Sequence, residues 1–218
     1  MTLPRALAGT MRMQTRPSLP LDRSQCVAKR TADLVVSIFL LIFTSPLMLL
    51  VAIAIWCDSP GAILYKQERV GHCGRRFQVL KFRSMVQDAE KDGRAVWAAK
   101  RDPRVTRVGR LIRLMRIDEL PQLLNVMRGD MSMVGPRPER PIFVEQLNQV
   151  IPSYDSRHNF KPGITGWAQV NYQYGSSIED AKYKLYYDLY YIHNWSFLLD
   201  LKVLGMTVGV VILCKGSR

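Results

Sequence analysis

The sequence predicts an α+β chain, mainly helical, built as a monotopic membrane protein: an N-terminal re-entrant helix-break-helix, a small β-hairpin and C-terminal interfacial amphipathic helices. Three observations carry that expectation. LVVSIFLLIFTSPLMLLVAIAIWC, residues 34–57, holds no charge and has Ser45-Pro46 at its middle. AILYKQERVGHCGRRFQVLKFR, residues 62–83, places two β-leaning runs on either side of Gly71-His72-Cys73-Gly74. Beyond it apolar residues recur at helical spacing, ending in the tyrosine-rich DAKYKLYYDLYYIHNW.

Composition sets the partner class. The 218 residues, 48% hydrophobic, suffice for one catalytic-size unit and a membrane element. Lys and Arg outnumber Asp and Glu by 31 to 18, a net charge of +13, which calls for a polyanionic partner: nucleic acid, phosphorylated small molecules or an anionic lipid surface. Cys26, Cys57, Cys73 and Cys214 lie far apart with no Cys-x-x-Cys spacing, and read as reduced thiols rather than a zinc site or a disulfide framework.

Residues 1–25, rich in proline and arginine without periodicity, are expected to form a disordered basic tail able to lie on anionic lipid. Residues 26–58 are the membrane hairpin. A bilayer core needs about 20 apolar residues in helix, so the run has the length to cross it. It starts too late and lacks the small-x-small exit of a cleavable signal peptide. Its flanks argue against a plain crossing: six basic residues against two acidic ones precede it and most of the net +13 follows it, whereas Lys and Arg gather on the cytoplasmic side. A hairpin entering and leaving by one leaflet satisfies both flanks. Pro46 has no N–H and its ring crowds the Ile42 carbonyl, which favours a kink, with Ser45 free to bond the released group. An ordinary proline-kinked span is the alternative.

Residues 59–218 are the expected cytoplasmic-face catalytic domain. After the hairpin at 62–83, helical patterns occupy about 84–92, 105–116, 119–128 and 139–150, and a Gly- and Pro-rich loop fills 161–175. Tyr183, Tyr186, Tyr187, Tyr190 and Tyr191 share one helical face, which beside a membrane hairpin reads as a headgroup-level stripe. The twelve uncharged residues from Val203 to Cys214 are too few to span and suit an interfacial helix.

RLIRLMRIDELPQLLNVMRGD, residues 110–130, sets two acids side by side in strongly basic surroundings. Asp118 suits an N-cap, with Glu119 and Pro121 in the first turn, Leu120, Leu123, Leu124 and Met127 as the buried stripe and Gly129 as the stop. Capping and the helix dipole would by themselves explain both acids. Their company points further. Lys81 and Arg83, the series Arg107, Arg110, Arg113 and Arg116, and Arg137 between Pro136 and Pro138 offer forks and point charges suited to phosphate oxygens, although a basic helix face is also an ordinary solvated surface. Carboxylates among phosphate binders suggest divalent metal coordination or attack on phosphorus, which an aspartate performs when cations neutralise the repulsion between two anions. A non-catalytic basic module for nucleic acid or anionic lipid is the alternative. It wants aromatics interleaved with the basic residues, and the tyrosines lie elsewhere; no nucleic-acid partner is expected.

Together with the Ser45-Pro46 run, YKQERVG (65–71), LKFRSM (80–85), RVTRVGRLIRLMRIDELPQLLNVMRGDMSMVGPRPE (104–139), RHNFKPGITGWAQVNY (157–172) and YDLYYIHNWSFLLDLKVL (187–204) make the chain resemble a known family. Over about residues 26–210 it is similar to the bacterial sugar transferases that initiate exopolysaccharide and O-antigen synthesis, the monotopic polyprenyl-phosphate hexose-1-phosphate transferases or phosphoglycosyl transferases. The resemblance implies transfer of a sugar 1-phosphate from a UDP-sugar to undecaprenyl phosphate, with release of UMP and use of Mg2+, at the cytoplasmic face of the bacterial inner membrane. It implies that Asp118 is the nucleophile, forming a phosphosugar-aspartyl intermediate, and also meets the metal, with Glu119 positioning metal or handling a proton. Arg113 and Arg137 match phosphate- and nucleotide-binding positions; Lys81, Arg83, Pro136 and Pro138 are placed with them. Ser45-Pro46 matches the family's helix-breaking pair.

Two departures are visible. Many close relatives carry an extra N-terminal bundle of membrane helices where this chain has a short basic tail, so it is expected to be the minimal catalytic form. After Gln169-Val170-Asn171 the chain reads Tyr-Gln-Tyr-Gly where part of the family has Asn-Gly-Arg, near the donor sugar. No sequence feature selects glucose, galactose or an N-acetylated sugar, or an oligomeric state.

Overall fold

The computed structural model describes residues 22–87, 89, 102–172, 175 and 177–213. Residues 1–21 of the expected tail and Cys214 lie outside these, while residues 23–25 already belong to the first helix.

That helix, α1 (Arg23–Asp58), begins with a capping box: the Asp22 carboxylate accepts from the Gln25 N–H at 2.8 Å and the Gln25 side chain accepts from the Asp22 N–H at 3.0 Å. It runs unbroken through Ser45-Pro46, which corrects the expected helix-break-helix. The reason is local. Pro46 donates no hydrogen bond to Ile42, and the Ser45 hydroxyl donates to that carbonyl instead, at 2.8 Å. One face of α1 is buried at Lys29, Asp33, Ser37, Val51 and Ile55, at helical spacing along most of its length. The other face is apolar and open: Phe43 is 74% exposed and Trp56 70%. By length and composition the helix could cross a membrane.

Strands β1 (Leu64–Val70) and β2 (Arg76–Phe82) pair antiparallel from Leu64↔Phe82 to Val70↔Arg76, as expected. The turn passes through Cys73 at φ 52°, and Cys26, Cys57 and Cys73 form no disulfide among the described residues. The helix expected near 84–92 does not start: Ser84 to Gln87 are irregular, with Met85 bridging to Val105, and residues 88 and 90–92 lie outside the described residues.

Helix α2 (Arg107–Leu114), capped by Thr106, leads into a 3-10 turn (Ile117–Gln122), then α3 (Leu123–Arg128), which Gly129 closes at φ 92°. Next come β3 (Ser132–Val134), α4 (Pro141–Val150) and a 3-10 turn (Tyr154–Asn159). The expected loop 161–175 contains β4 (Gly163–Thr165), parallel to β3, and the short helix α5 (Trp167–Asn171). Helices α6 (Ile178–His193) and α7 (Phe197–Ile212) complete the chain.

The main core gathers Val79, Leu123, Val126, Met131, Leu185 and Tyr191. A second, smaller core joins Val51 and Ile55 of α1 to Phe82, Ile112 and Ile117. Of the tyrosine stripe, Tyr191 is interior, Tyr183, Tyr186 and Tyr187 are half-buried and Tyr190 is exposed. Tyr191 is 1% exposed, its hydroxyl donating to Asp200 at 2.5 Å, while Tyr183 and Tyr187 pack on Tyr172 and Tyr190 stacks on Trp167. Outward apolar residues at this end include Phe197, Leu198, Leu201 and Val208 of α7 and Ile178 and Tyr190 of α6.

Candidate active site

The dyad turn is wedged in place by its apolar neighbours. Ile117 enters the second core against α1, Pro121 is buried, and Leu120 packs against both cores. Arg116 precedes the turn in the left-handed region, φ 55°. Asp118 therefore lies inside a 3-10 turn and caps no helix, contrary to the sequence expectation. The buried stripe shifts as well: α3 buries Leu123, Asn125 and Val126 and exposes Met127.

Side-chain alternation along β2 sends Phe82 into the second core and leaves Lys81 on the other face. Lys81 Nζ lies 3.3 Å from Glu119 Oε1. The far edge of β2 is held by a side chain instead of a strand: Asn125 accepts from the Leu80 N–H at 3.0 Å and donates to the Gln78 carbonyl at 2.8 Å. Arg137 donates to the same Glu119 Oε1 at 2.6 Å. Its loop lies directly on segment 161–163. The Gly163 N–H donates to the Pro136 carbonyl at 2.9 Å, and a Cβ on Gly135 would come within 2.3 Å of the Lys161 carbonyl oxygen.

The two acids are thus shifted in opposite directions. Burial works to raise the Glu119 carboxyl, but Arg137 and Lys81 overcome it and hold the group well below the usual range. Burial also depresses the Lys81 ammonium, with Glu119 opposing. Asp118 is half-buried and accepts no hydrogen bond and joins no ion pair among the described residues. Burial, with the neighbouring Glu119 acting in the same direction, pushes it up to about 6 against the pull of Lys81, Arg113 and Arg137.

The structure brings together Asp118, Glu119, Lys81, Arg137 and the field of Arg113, with Pro136 and Pro138 framing Arg137. Arg116 acts on Glu119, while Arg107 and Arg110 are exposed on α2 and match the solvated-face reading. Arg83 is placed elsewhere. Its guanidinium donates to the Ser59 and Pro60 carbonyls at 2.6 and 2.8 Å and closes the end of α1, and it makes no bond to Asp118 or Glu119 among the described residues. Ser45 and Pro46 belong to α1 and not to the ionic cluster. Two contributors escaped the sequence reading: Asn125, which fixes β2, and Arg69, which donates to the Pro138 carbonyl at 3.1 Å. Neither carries a spacing signal, because each acts on a backbone distant in sequence.

Magnesium fits this donor set. Both Asp118 oxygens and Glu119 Oε2 are unengaged among the described residues, and Mg2+ is commonly held by one or two carboxylates plus substrate phosphates and water. Among the described residues no group of three or more His, Cys, Asp or Glu could hold a metal alone.

The sequence pattern of the bacterial sugar transferase family matches residues 24–214, and the chain belongs to that family. It is 45% identical over 190 residues to a UDP-N-acetylgalactosamine-undecaprenyl-phosphate N-acetylgalactosaminephosphotransferase of Aeromonas hydrophila, covering 87% of this chain and 45% of that protein. A UDP-glucose:undecaprenyl-phosphate glucose-1-phosphate transferase of Caulobacter vibrioides is 44% identical, with 92% of this chain and 76% of that one covered. An uncharacterised sugar transferase of Bacillus subtilis is 42% identical, with 88% and 91% covered. The chain spans less than half the length of the Aeromonas relative.

Proposed function

We propose that this chain transfers a sugar 1-phosphate from a UDP-sugar to undecaprenyl phosphate in two displacements at phosphorus, the first membrane step of exopolysaccharide or O-antigen synthesis. The observation that carries the reading is the asymmetry of the dyad: Glu119 is clamped by two cations, while the adjacent Asp118 has no hydrogen-bond or ion-pair partner among the described residues. A carboxylate desolvated in this way is more basic and a better nucleophile. An Asp118 oxygen attacks the phosphorus that bears the sugar, the bond from that phosphorus to the bridging oxygen breaks, and UMP leaves. A phosphate oxygen of undecaprenyl phosphate then attacks the same phosphorus, and the Asp118 acyl phosphate bond breaks. Lys81, Arg113 and Arg137 reduce the repulsion between attacking and attacked anions. Magnesium held by the dyad would neutralise phosphate charge. The relatives named for undecaprenyl-phosphate transfer support this substrate pair.

We place the domain on the cytoplasmic face of the inner membrane, with α1 dipping into one leaflet. Both halves of α1 dock on the same domain. Lys29 pairs with Asp200 at 2.7 Å near one end, and Val51 and Ile55 enter the second core near the other. A helix crossing the bilayer would need that one charged domain on both sides. Cys26 and Cys57 are exposed and flank the apolar run, so single-cysteine forms labelled with a membrane-impermeant maleimide should both react from the cytoplasmic side. Reaction from opposite sides would refute the topology.

The chemical reading is tested by incubating parent and Asp118→Asn in detergent with UDP-glucose, UDP-galactose and undecaprenyl phosphate. Magnesium-dependent UMP release by the parent is expected, with sugar phosphate left on the chain when acceptor is omitted. Equal release by both proteins would remove Asp118 as the nucleophile.

A further inference from the structure

Behind Arg137 lies a buried ionic chain that the transfer reaction does not itself call for. Arg157 Nη2 donates to Asp188 Oδ2 at 2.6 Å and to the Arg137 backbone carbonyl at 2.9 Å, and Nη1 donates to the Tyr154 hydroxyl at 2.7 Å. The Arg157 and Asp188 side chains are only 4% and 2% exposed. The guanidinium also lies 5.2 Å from the centre of the Tyr154 ring. Beneath the Pro136–Pro138 loop is a cavity of about 10 Å3, lined in part by Arg137, Arg157 and His158, with room for about one water. The three successive carbonyls of this loop are each bonded from a different element: Pro136 by the Gly163 N–H, Arg137 by Arg157 and Pro138 by Arg69.

We infer that Asp188 and Arg157 are positioning residues for the reaction: Asp188 on α6 orients Arg157, Arg157 fixes the Arg137 backbone, and Arg137 in turn holds Glu119 beside the nucleophile. A buried ion pair between hydrophobic elements is expensive to desolvate, and apolar residues would fill the same space at less cost. The fork geometry of arginine explains its use here. One planar group reaches a carboxylate, a carbonyl and a hydroxyl together, which the single point charge of lysine does not. The inference rests on the transferase reading and extends it by some 70 residues along the chain from Glu119 to Asp188, onto an element outside the dyad's own core.

The test is a double-mutant cycle read as UMP release, with melting temperature measured in parallel. Asp188→Asn, Arg157→Lys and the milder Tyr154→Phe are each made in the parent and in Arg137→Ala. In the parent, Arg157→Lys should lower kcat by about tenfold or more with a smaller change in KM for the UDP-sugar, and Tyr154→Phe should lower it by a few-fold. In Arg137→Ala the same changes should cost almost nothing further, because the group they position is gone. Asp200→Asn, which breaks the separate Lys29 pair, is the control for general destabilisation and should show no such coupling. Losses that simply add in both backgrounds, or an unchanged kcat in Arg157→Lys and Tyr154→Phe, would overturn the relay. Should Asp188→Asn fail to fold, the other two variants decide. A parent that releases no UMP from UDP-glucose, UDP-galactose or their N-acetylated counterparts would instead refute the transferase reading.

Discussion

Two ionic clusters in this molecule use similar parts to opposite ends. In the first, Lys29 pairs with Asp200, which also accepts from the Tyr191 hydroxyl and from Trp195, and the ammonium lies within 6 Å of the Phe160, Tyr191 and Trp195 ring centres. Both Asp200 oxygens are engaged, and the cluster bonds α1 to α7. In the second, Lys81 and Arg137 converge on Glu119, and Asp118 beside it has no hydrogen bond or ion pair among the described residues. Completing every bond turns buried charge into architecture. Leaving one carboxylate incomplete, half-buried and next to fixed cations keeps it reactive.

The contrast can be broken most severely at Asp118. Asp118→Asn should lower transfer by about a thousandfold or more while the melting temperature holds or rises, since a desolvated carboxylate is removed at no cost in bonds. Lys29→Met should do the reverse. It leaves Asp200 buried without its cation and should cost about 3 kcal/mol of stability by denaturant titration, with kcat per folded molecule close to that of the parent. Glu119→Gln is intermediate. It keeps the shape and loses the charge that Lys81 and Arg137 share, and activity should fall by about 10–100-fold in the UMP assay.

The smallest effect is in pH. The Asp118 carboxyl titrates near 6 in the folded chain, above its ordinary range. Its protonated form therefore favours the fold, and that contribution is complete below about 4 and gone once pH rises through about 6. Comparing unfolding of metal-free parent and Asp118→Asn from pH 4 to 7 should show this trend in the parent and not in the variant.

How far the sequence could be read follows from the range of the forces involved. The β-hairpin is local: alternating residues and Gly71 and Gly74 suffice, and the two strands and the place of the turn came out as expected. The acids and their cations were visible as chemistry. The uninterrupted course of α1 was not, because the outcome depends on one hydroxyl replacing one amide, and sequence patterns weigh proline without knowing what its neighbour bonds. Tyr191 was misplaced for a different reason. Periodicity puts it on the correct helical face, but only the distant Asp200 and Lys29 decide that this part of the face is interior. Strands β3 and β4, three residues each and about thirty residues apart, carry too little local pattern to be seen. Arg83 looked like a phosphate ligand because it stands two residues from Lys81, and its bonds to two carbonyls at the end of α1 leave no trace in the sequence pattern.

The double attachment of α1 has a mechanical consequence. A tethered anchor can tilt or bob while its cargo stays still, but a keel cannot move without the hull. With Lys29 and Arg30 bonded at the bow and Val51 and Ile55 seated at the stern, bilayer thinning or thickening cannot be absorbed by tilting this helix alone. On the proposed membrane placement, whatever draught lipid imposes on the exposed Phe43 and Trp56 passes through Val51 and Ile55 to the core that holds the turn bearing Asp118.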